Sequence, residues 1–208
     1  MKEGIKTIVF DLGGVLIDLD FQRALDAFAG AGLNDMAREV QSFSREGIFM
    51  DLELGNIRTA DFYEAIRKKA ERPLSLNQIA DYWNLILLDI PQEKLALIRE
   101  LRKHYTVHLL SNTNEPHWDF ICRHCFERDG YTVSDYFDRT FLSFEMHLAK
   151  PDPAIFEQML AEAHLVPEAT LFIDDSEANC RTASALGIQA HHYQIGEDLK
   201  KVLQCHPE

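Results

Sequence analysis

Short apolar runs that stop abruptly on acids or hydroxyls constrain this chain more than any other feature. Ile5-Lys6-Thr7-Ile8-Val9-Phe10 ends at Asp11-Leu12-Gly13-Gly14, and Thr106 to Leu110 ends at Ser111-Asn112-Thr113-Asn114. Leu171-Phe172-Ile173 ends at Asp174-Asp175-Ser176, and Arg139 to Ser143 and Gln189 to Tyr193 are further runs of the same kind. Their length and β-branched content predict buried strands. Amphipathic segments lie between them. Leu95, Ile98 and Leu101 follow helical spacing, as does Pro116 to Phe126. Asp152-Pro153 opens a helix with Asp at the N-cap and Pro at the first helical position. A helix from Glu177 to Leu186 stops at Gly187, the residue best suited to a left-handed terminus. Strand–helix alternation predicts an α/β fold, a doubly wound parallel sheet with helices on both faces. Ligands bind beyond the carboxyl ends of such strands. Asp11, Ser111, Asp174 and Asp175 therefore converge on one crevice.

One block breaks the alternation. From about Phe21 to Leu88 no strand pattern emerges. Phe21, Leu25, Phe28 and Ala29 share a helical face, and Thr59 to Ala70 and Ser75 to Leu87 read likewise. Ser75 with Gln78 forms a capping box. This pattern predicts a purely helical block inserted after the first strand. Within this block, Asp51-Leu52-Glu53-Leu54-Gly55-Asn56-Ile57 interrupts the helices, and Gly55 allows close backbone approach.

Charge narrows the partners. Among 208 residues, 21 Lys and Arg stand against 34 Asp and Glu, a net charge of −13. That balance argues against nucleic acid and against anionic membrane surfaces as partners. No apolar run reaches the roughly 18 residues of a membrane-spanning helix, and Ile8-Val9-Phe10 is too short for a signal-peptide core. A cytoplasmic location and a monomer or weak dimer are expected. Cysteines stand at 122, 125, 180 and 205, too few for a disulfide scaffold. Cys122 and Cys125 have C-x-x-C spacing but no second pair, so they read as packing rather than zinc or redox chemistry. His191 and His192 are adjacent on a strand and so face opposite ways.

Grouped carboxylates repel unless a cation neutralises them. The all-oxygen donor set of Asp11, Asp174 and Asp175 suits Mg²⁺. Ser111 and the Asn112 amide can hydrogen-bond an anion, and Lys150, held before Pro151-Asp152-Pro153, can serve as a point charge for a phosphate.

Asp11-Leu12-Gly13-Gly14-Val15-Leu16, Leu110-Ser111-Asn112-Thr113-Asn114, Lys150-Pro151-Asp152-Pro153-Ala154-Ile155-Phe156 and Phe172-Ile173-Asp174-Asp175-Ser176-Glu177-Ala178-Asn179 resemble the four motifs of the haloacid dehalogenase superfamily, in order. The resemblance covers nearly the whole chain. It implies a Rossmann-like core made of 1–16 plus 91–208, with an α-helical cap domain inserted at 17–90. Asp18-Leu19-Asp20-Phe21 and Ser111-Asn112-Thr113-Asn114 are similar to segments of the bacterial α-D-glucose-1-phosphate phosphatases. The resemblance also implies roles. Asp11 would be the nucleophile, and Mg²⁺ would be held by Asp11, the Gly13 carbonyl, Asp175 and Asp174. Ser111, the Asn112 amide and Lys150 would hold the phosphoryl group of a small phosphorylated metabolite, with Glu53 among the substrate contacts from the cap. Asn179 would orient the fourth motif.

Gly13 is a departure. Family phosphatases carry an acid/base Asp there, a group typically worth about 10²–10⁴-fold. Asp18 is the first candidate to replace it, being nearest to the nucleophile loop; Asp20, Glu46, Glu53 and His147 come after it. A second departure is His147, where relatives often carry Gly. An anomeric hydroxyl leaves more easily than an ordinary alkoxide, which favours a sugar 1-phosphate. A dehalogenase would also use Asp11 but has no use for stacked acids at 174 and 175. A catalytically weak phosphosugar-binding protein is the other alternative, while a phosphomutase conflicts with Gly13.

Overall fold

The computed structural model describes residues 4–33 and 47–204; Glu46 and Cys205 lie outside them. The sheet has strands β1 (Thr7–Phe10), β2 (Thr106–Ser111), β3 (Arg139–Leu142), β4 (Thr170–Asp174) and β5 (Gln189–His192). All neighbours are parallel, in the order β3-β2-β1-β4-β5. The five expected strands are thus present, with ends within about two residues.

Alternation along the strands builds two cores. Ile8, Phe10, Leu109 and Ile173 enter one cluster with Leu95 and Ile98 of the helix Gln92–Leu101. Val9, Leu110 and Phe172 enter another with Ile155, Phe156 and Met159 of the helix Pro153–Glu162 and Ala183 of the helix Glu177–Ala185. Burial on both faces explains why these strands are continuously apolar. The caps form as the sequence predicts. Asp152 accepts from the Ala154 amide at 2.9 Å, and Gly187 has φ +85°.

After β1 the chain passes to β2 and outward to β3. It then returns across the sheet to β4, on the far side of β1. The reversal opens a crevice between β1 and β4 at their carboxyl ends. The register Phe10↔Ile173 sets Asp11 beside Asp174, and the Asp11 amide donates to the Ile173 carbonyl at 2.9 Å.

Between β1 and the helix Gln92–Leu101, the longer elements among the described residues are helices: Phe21–Gly30, Ile48–Glu53, Thr59–Lys69 and Leu76–Asn84. They bury a separate cluster containing Phe28, Leu52, Phe62, Ile66, Ile79 and Trp83. Ser75 and Gln78 make the expected capping box. The last helix stops at Asn84, short of the expected Leu87. There the returning chain pairs with the outgoing one: Leu19 bridges Leu87, and Asp20 N donates to Ile86 O at 2.8 Å.

The expected helix from Pro116 to Phe126 is an α-helix over Glu115–Ile121 that widens into a π-turn over Cys122–Phe126. Burial pushes the Cys122 and Cys125 thiols up to about 12 and about 11, so both stay protonated and unreactive. No helix among the described residues is long and apolar enough to cross a membrane.

Candidate active site

Asp11 comes directly after β1 and is 8% exposed. Its Oδ1 accepts the Leu12 amide at 2.7 Å and lies 2.8 Å from Lys150 Nζ. The same ammonium donates to Asp174 Oδ2 at 2.7 Å and to the Leu110 carbonyl at 2.9 Å. Lys150 reaches this point because Asn112 holds its backbone. Asn112 Nδ2 donates to Lys150 O at 2.9 Å, and Lys150 N donates to Asn112 Oδ1 at 2.8 Å. The loops after β2 and β3 are thereby locked together. Ser143 adds a second lock, accepting from Thr113 N at 2.9 Å and donating to Thr113 O at 2.8 Å.

Asp174 is wholly buried and accepts Ser176 N and both contacts of Asn179 Nδ2, at 3.0 and 3.1 Å. Asp175 packs on Gly14, where an added Cβ would come 2.8 Å from the Asp175 Cγ. Only glycine fits there, and φ +73° demands it independently. His192 Nε2 donates to the Asp175 carbonyl at 3.0 Å. His191 instead pairs with Glu197 at 3.0 Å, so the two histidines make no joint site.

Ligand atoms of Asp11, Asp174 and Asp175 all lie within 4.8 Å of one another. Burial pushes the Asp11 carboxyl up to about 8 against the pull of Lys150. Asp175 is raised by burial and then by the charge of Asp174. Burial works against the Lys150 ammonium, but Asp11 and Asp174 outweigh it and hold its pKa above the ordinary value. When all three acids are ionised, as a bound cation would favour, three carboxylates against one ammonium leave two negative charges, the complement of one divalent cation. The all-oxygen donors fit Mg²⁺.

Above this cluster lies a cavity of about 320 Å³. Asp11, Gly13, Ser111, Asn112, Lys150 and Asp175 line it from the sheet, and Glu53 and Trp83 line it from the helices. The structure thus brings these predicted residues together, Asn179 included. It does not bring Asp18. That carboxylate is 53% exposed, 3.9 Å from Lys94 Nζ, in a different surface pocket. The reason is local pairing. Leu88 N donates to Asp18 O at 3.1 Å, so the alternation of an extended segment turns Leu19, not Asp18, toward the cavity. Asp20 is the N-cap of Phe21–Gly30, accepting from Gln22 N at 3.1 Å. His147 is exposed and its Nδ1 donates to Leu54 O at 2.7 Å. Gly55 does make a close approach, but to Phe144 after β3: an added Cβ would overlap the Phe144 carbonyl oxygen. At Gly13 the contact is milder: a Cβ there would meet only the tip of the Leu19 side chain, Cδ1, at 3.0 Å.

Asn114 and His117 also line the cavity, and the sequence motifs assign them no role. Asn114 caps the helix Glu115–Ile121 by accepting from His117 N at 3.1 Å, a pattern that a capping search would find. Nothing local marks His117 or Trp83 as partners, because they are 34 residues apart.

A family model described as haloacid dehalogenase-like hydrolase matches residues 5–187. This chain belongs to that family. The resemblance seen in the motifs is therefore shown, and so is the enzyme class. A D-ribitol-5-phosphate phosphatase from Bacteroides thetaiotaomicron is 34% identical over 199 residues, covering 96% of this chain and 97% of the relative. A HAD family enzyme from the same organism, crystallised with magnesium and inorganic phosphate, superposes with a TM-score of 0.92 at 42% identity, covering 97% of this chain and 100% of that one. A HAD-like hydrolase from Porphyromonas gingivalis gives a TM-score of 0.86 at 34% identity, covering 97% and 98%. Magnesium in a solved HAD relative agrees with the cation that the donor set here fits.

Proposed function

We propose that this HAD-like hydrolase is a Mg²⁺-dependent phosphatase of small phosphorylated sugars or sugar alcohols. The observation that carries the reading is Lys150 clamped between Asp11 and Asp174, with Asp175 alongside, on the floor of a cavity roofed by the helical insertion. Such a cluster offers a carboxylate nucleophile, a divalent-cation site and a fixed positive charge within one crevice. Asp11 attacks phosphorus in line, displaces the alcohol and forms an aspartyl-phosphate that water then hydrolyses. Ser111, the Asn112 amide and Lys150 hold the phosphoryl oxygens. Asp11, the Gly13 carbonyl, Asp174 and Asp175 hold Mg²⁺, which supplies neutralisation of the phosphoryl charge. Glu53 and the other helical residues over the cavity contact the organic part, and residues 17–90 act as the cap. The acidic pair at 174 and 175 sets this reading above a dehalogenase.

The named relative, which acts on a phosphorylated sugar alcohol, supports a phosphosugar-type substrate without favouring glucose 1-phosphate in particular. Phosphate release with Mg²⁺ tests the reading, using p-nitrophenyl phosphate, glucose 1- and 6-phosphate and ribitol 5-phosphate. Asp11→Asn is the control. Turnover that needs both Mg²⁺ and Asp11 is expected, with loss on the order of 10⁴-fold or more in the variant. Folded protein that binds Mg²⁺ and phosphosugar without turnover would instead establish a binding protein disabled at Gly13.

A further inference from the structure

Hydrolysis of an ordinary phosphate ester ejects an alkoxide, which must be protonated. Position 13 cannot supply the proton. Gly13 has no side chain; the nearest group beside it is the apolar tip of Leu19. Asp18 faces Lys94 in another pocket, Asp20 caps a helix, and His147 is exposed and bonded to Leu54.

Glu53 is placed differently. It is the last residue of the helix Ile48–Glu53 and lines the cavity with Asp11 and Lys150. The next two residues fix its position. The Leu54 carbonyl accepts from His147 Nδ1 at 2.7 Å, and Gly55 sits against the Phe144 backbone. These contacts tie the end of this helix to the loop after β3. The titratable groups lining the cavity with Glu53 are Asp11, Asp175, Lys150 and His117. Burial pushes its carboxyl up to about 6, with Lys150 pulling it down. A carboxyl near neutrality suits proton transfer in both directions.

We infer that Glu53 is the general acid and base of this site, doing from the helical insertion what Gly13, lacking a side chain, cannot do. The inference rests on the phosphatase reading. In the first step the Asp11 carboxylate forms a bond to phosphorus, the P–O bond to the alcohol breaks, and the leaving oxygen takes the Glu53 proton. In the second step water attacks the aspartyl-phosphate, its proton returns to Glu53, and the Asp11 oxygen is released. One ester and one water give one alcohol and one phosphate, and Glu53 ends protonated as it began.

Leaving-group chemistry tests this. Ribitol 5-phosphate releases an alkoxide, whereas p-nitrophenyl phosphate releases a phenolate that needs no proton. With Mg²⁺ present, Glu53→Gln is expected to lose about 10²–10⁴-fold in kcat/KM on the alkyl ester and far less on the aryl ester. On the aryl ester it also shows a burst of about one equivalent of p-nitrophenolate, because the phosphoenzyme then waits for a base. Equal losses on both esters, carried by KM and without a burst, would reduce Glu53 to a binding residue and overturn the inference. If Glu53→Gln does not fold, Glu53→Ala with added formate gives the same reading: restored alkyl-ester turnover supports the inference, and no restoration refutes it. Native protein that releases no phosphate from any ester sinks the phosphatase reading and this inference with it. Active native protein alongside a fully active Glu53→Gln sinks the inference alone.

Discussion

The indole of Trp83 lies on the imidazole of His117, with ring centroids 4.6 Å apart and planes 15° from parallel. Trp83 belongs to the helical insertion and His117 to the helix after β2. His117 Nε2 lies 3.1 Å from the Trp83 carbonyl, which can only accept, so Nε2 carries the proton. Nδ1 is then free to accept from Asn114 Nδ2 at 3.3 Å. The indole N–H donates in turn to Asn114 Oδ1 at 3.3 Å. This buried knot fixes one wall of the cavity.

The knot is pH-sensitive. Burial lowers His117 from 6.5 to about 4. The unfolded chain therefore takes up the proton first, so stability from this group is whole above pH 6.5 and drains as pH falls toward 4. Between pH 7 and 5 it costs about 2 kcal/mol. His117→Phe keeps the stacking, loses about 1–3 kcal/mol at pH 7 from unpaired partners, and no longer shows this drain. Urea unfolding of both proteins at the two pH values measures the difference. Parallel pH slopes would contradict the assignment.

Lys150→Met removes a side chain that is 1% exposed and neutralises two carboxylates. Breaking a buried pair costs about 3–5 kcal/mol because the remaining charge is uncompensated. We expect a loss of that size in chemical denaturation without metal, and partial recovery on adding Mg²⁺. A loss below about 1 kcal/mol would show that Asp11 and Asp174 do not depend on the ammonium.

Asn179 touches both oxygens of Asp174, the buried acid of the proposed Mg²⁺ site. Partners of this kind are worth about 10–100-fold in metal affinity. Titration calorimetry of Asn179→Ala with Mg²⁺ should give a weakening in that range, with the fold intact by circular dichroism. Native affinity in the variant would mean that Ser176 N and Lys150 orient Asp174 unaided.

Gly55 has φ +65° and no room for a Cβ against the Phe144 carbonyl. Gly55→Ala should destabilise by more than about 1 kcal/mol, from the left-handed backbone alone. It should also lower kcat/KM by displacing Glu53, while Mg²⁺ affinity stays native. Thermal melting, kinetics and calorimetry on one preparation separate these effects.

Local chemistry made much of this molecule legible before any contact was known. The short, β-branched run Thr7-Ile8-Val9-Phe10, cut off by Asp11-Leu12-Gly13-Gly14, fits a strand buried between two helical layers. Ser75 with Gln78 and Asp152 with Pro153 satisfy helix amides within a few residues, so their caps form wherever the helix lies. The order of strands and acids along the chain likewise put Asp11, Ser111, Asp174 and Asp175 at one end of a parallel sheet.

The direction in which the connecting side chains turn was beyond the reach of sequence. Asp18 is nearer to Asp11 in the chain than Glu53 is, yet it points to Lys94 while Glu53 lines the cavity. Pairing of Leu19 with Leu87 sets the first, and docking of Leu54 and Gly55 on the loop after β3 sets the second. Trp83 and His117 meet for the same kind of reason. Each depends on hydrogen bonds and close approaches between segments distant in the chain, and such contacts exist only once the helices have packed onto the sheet.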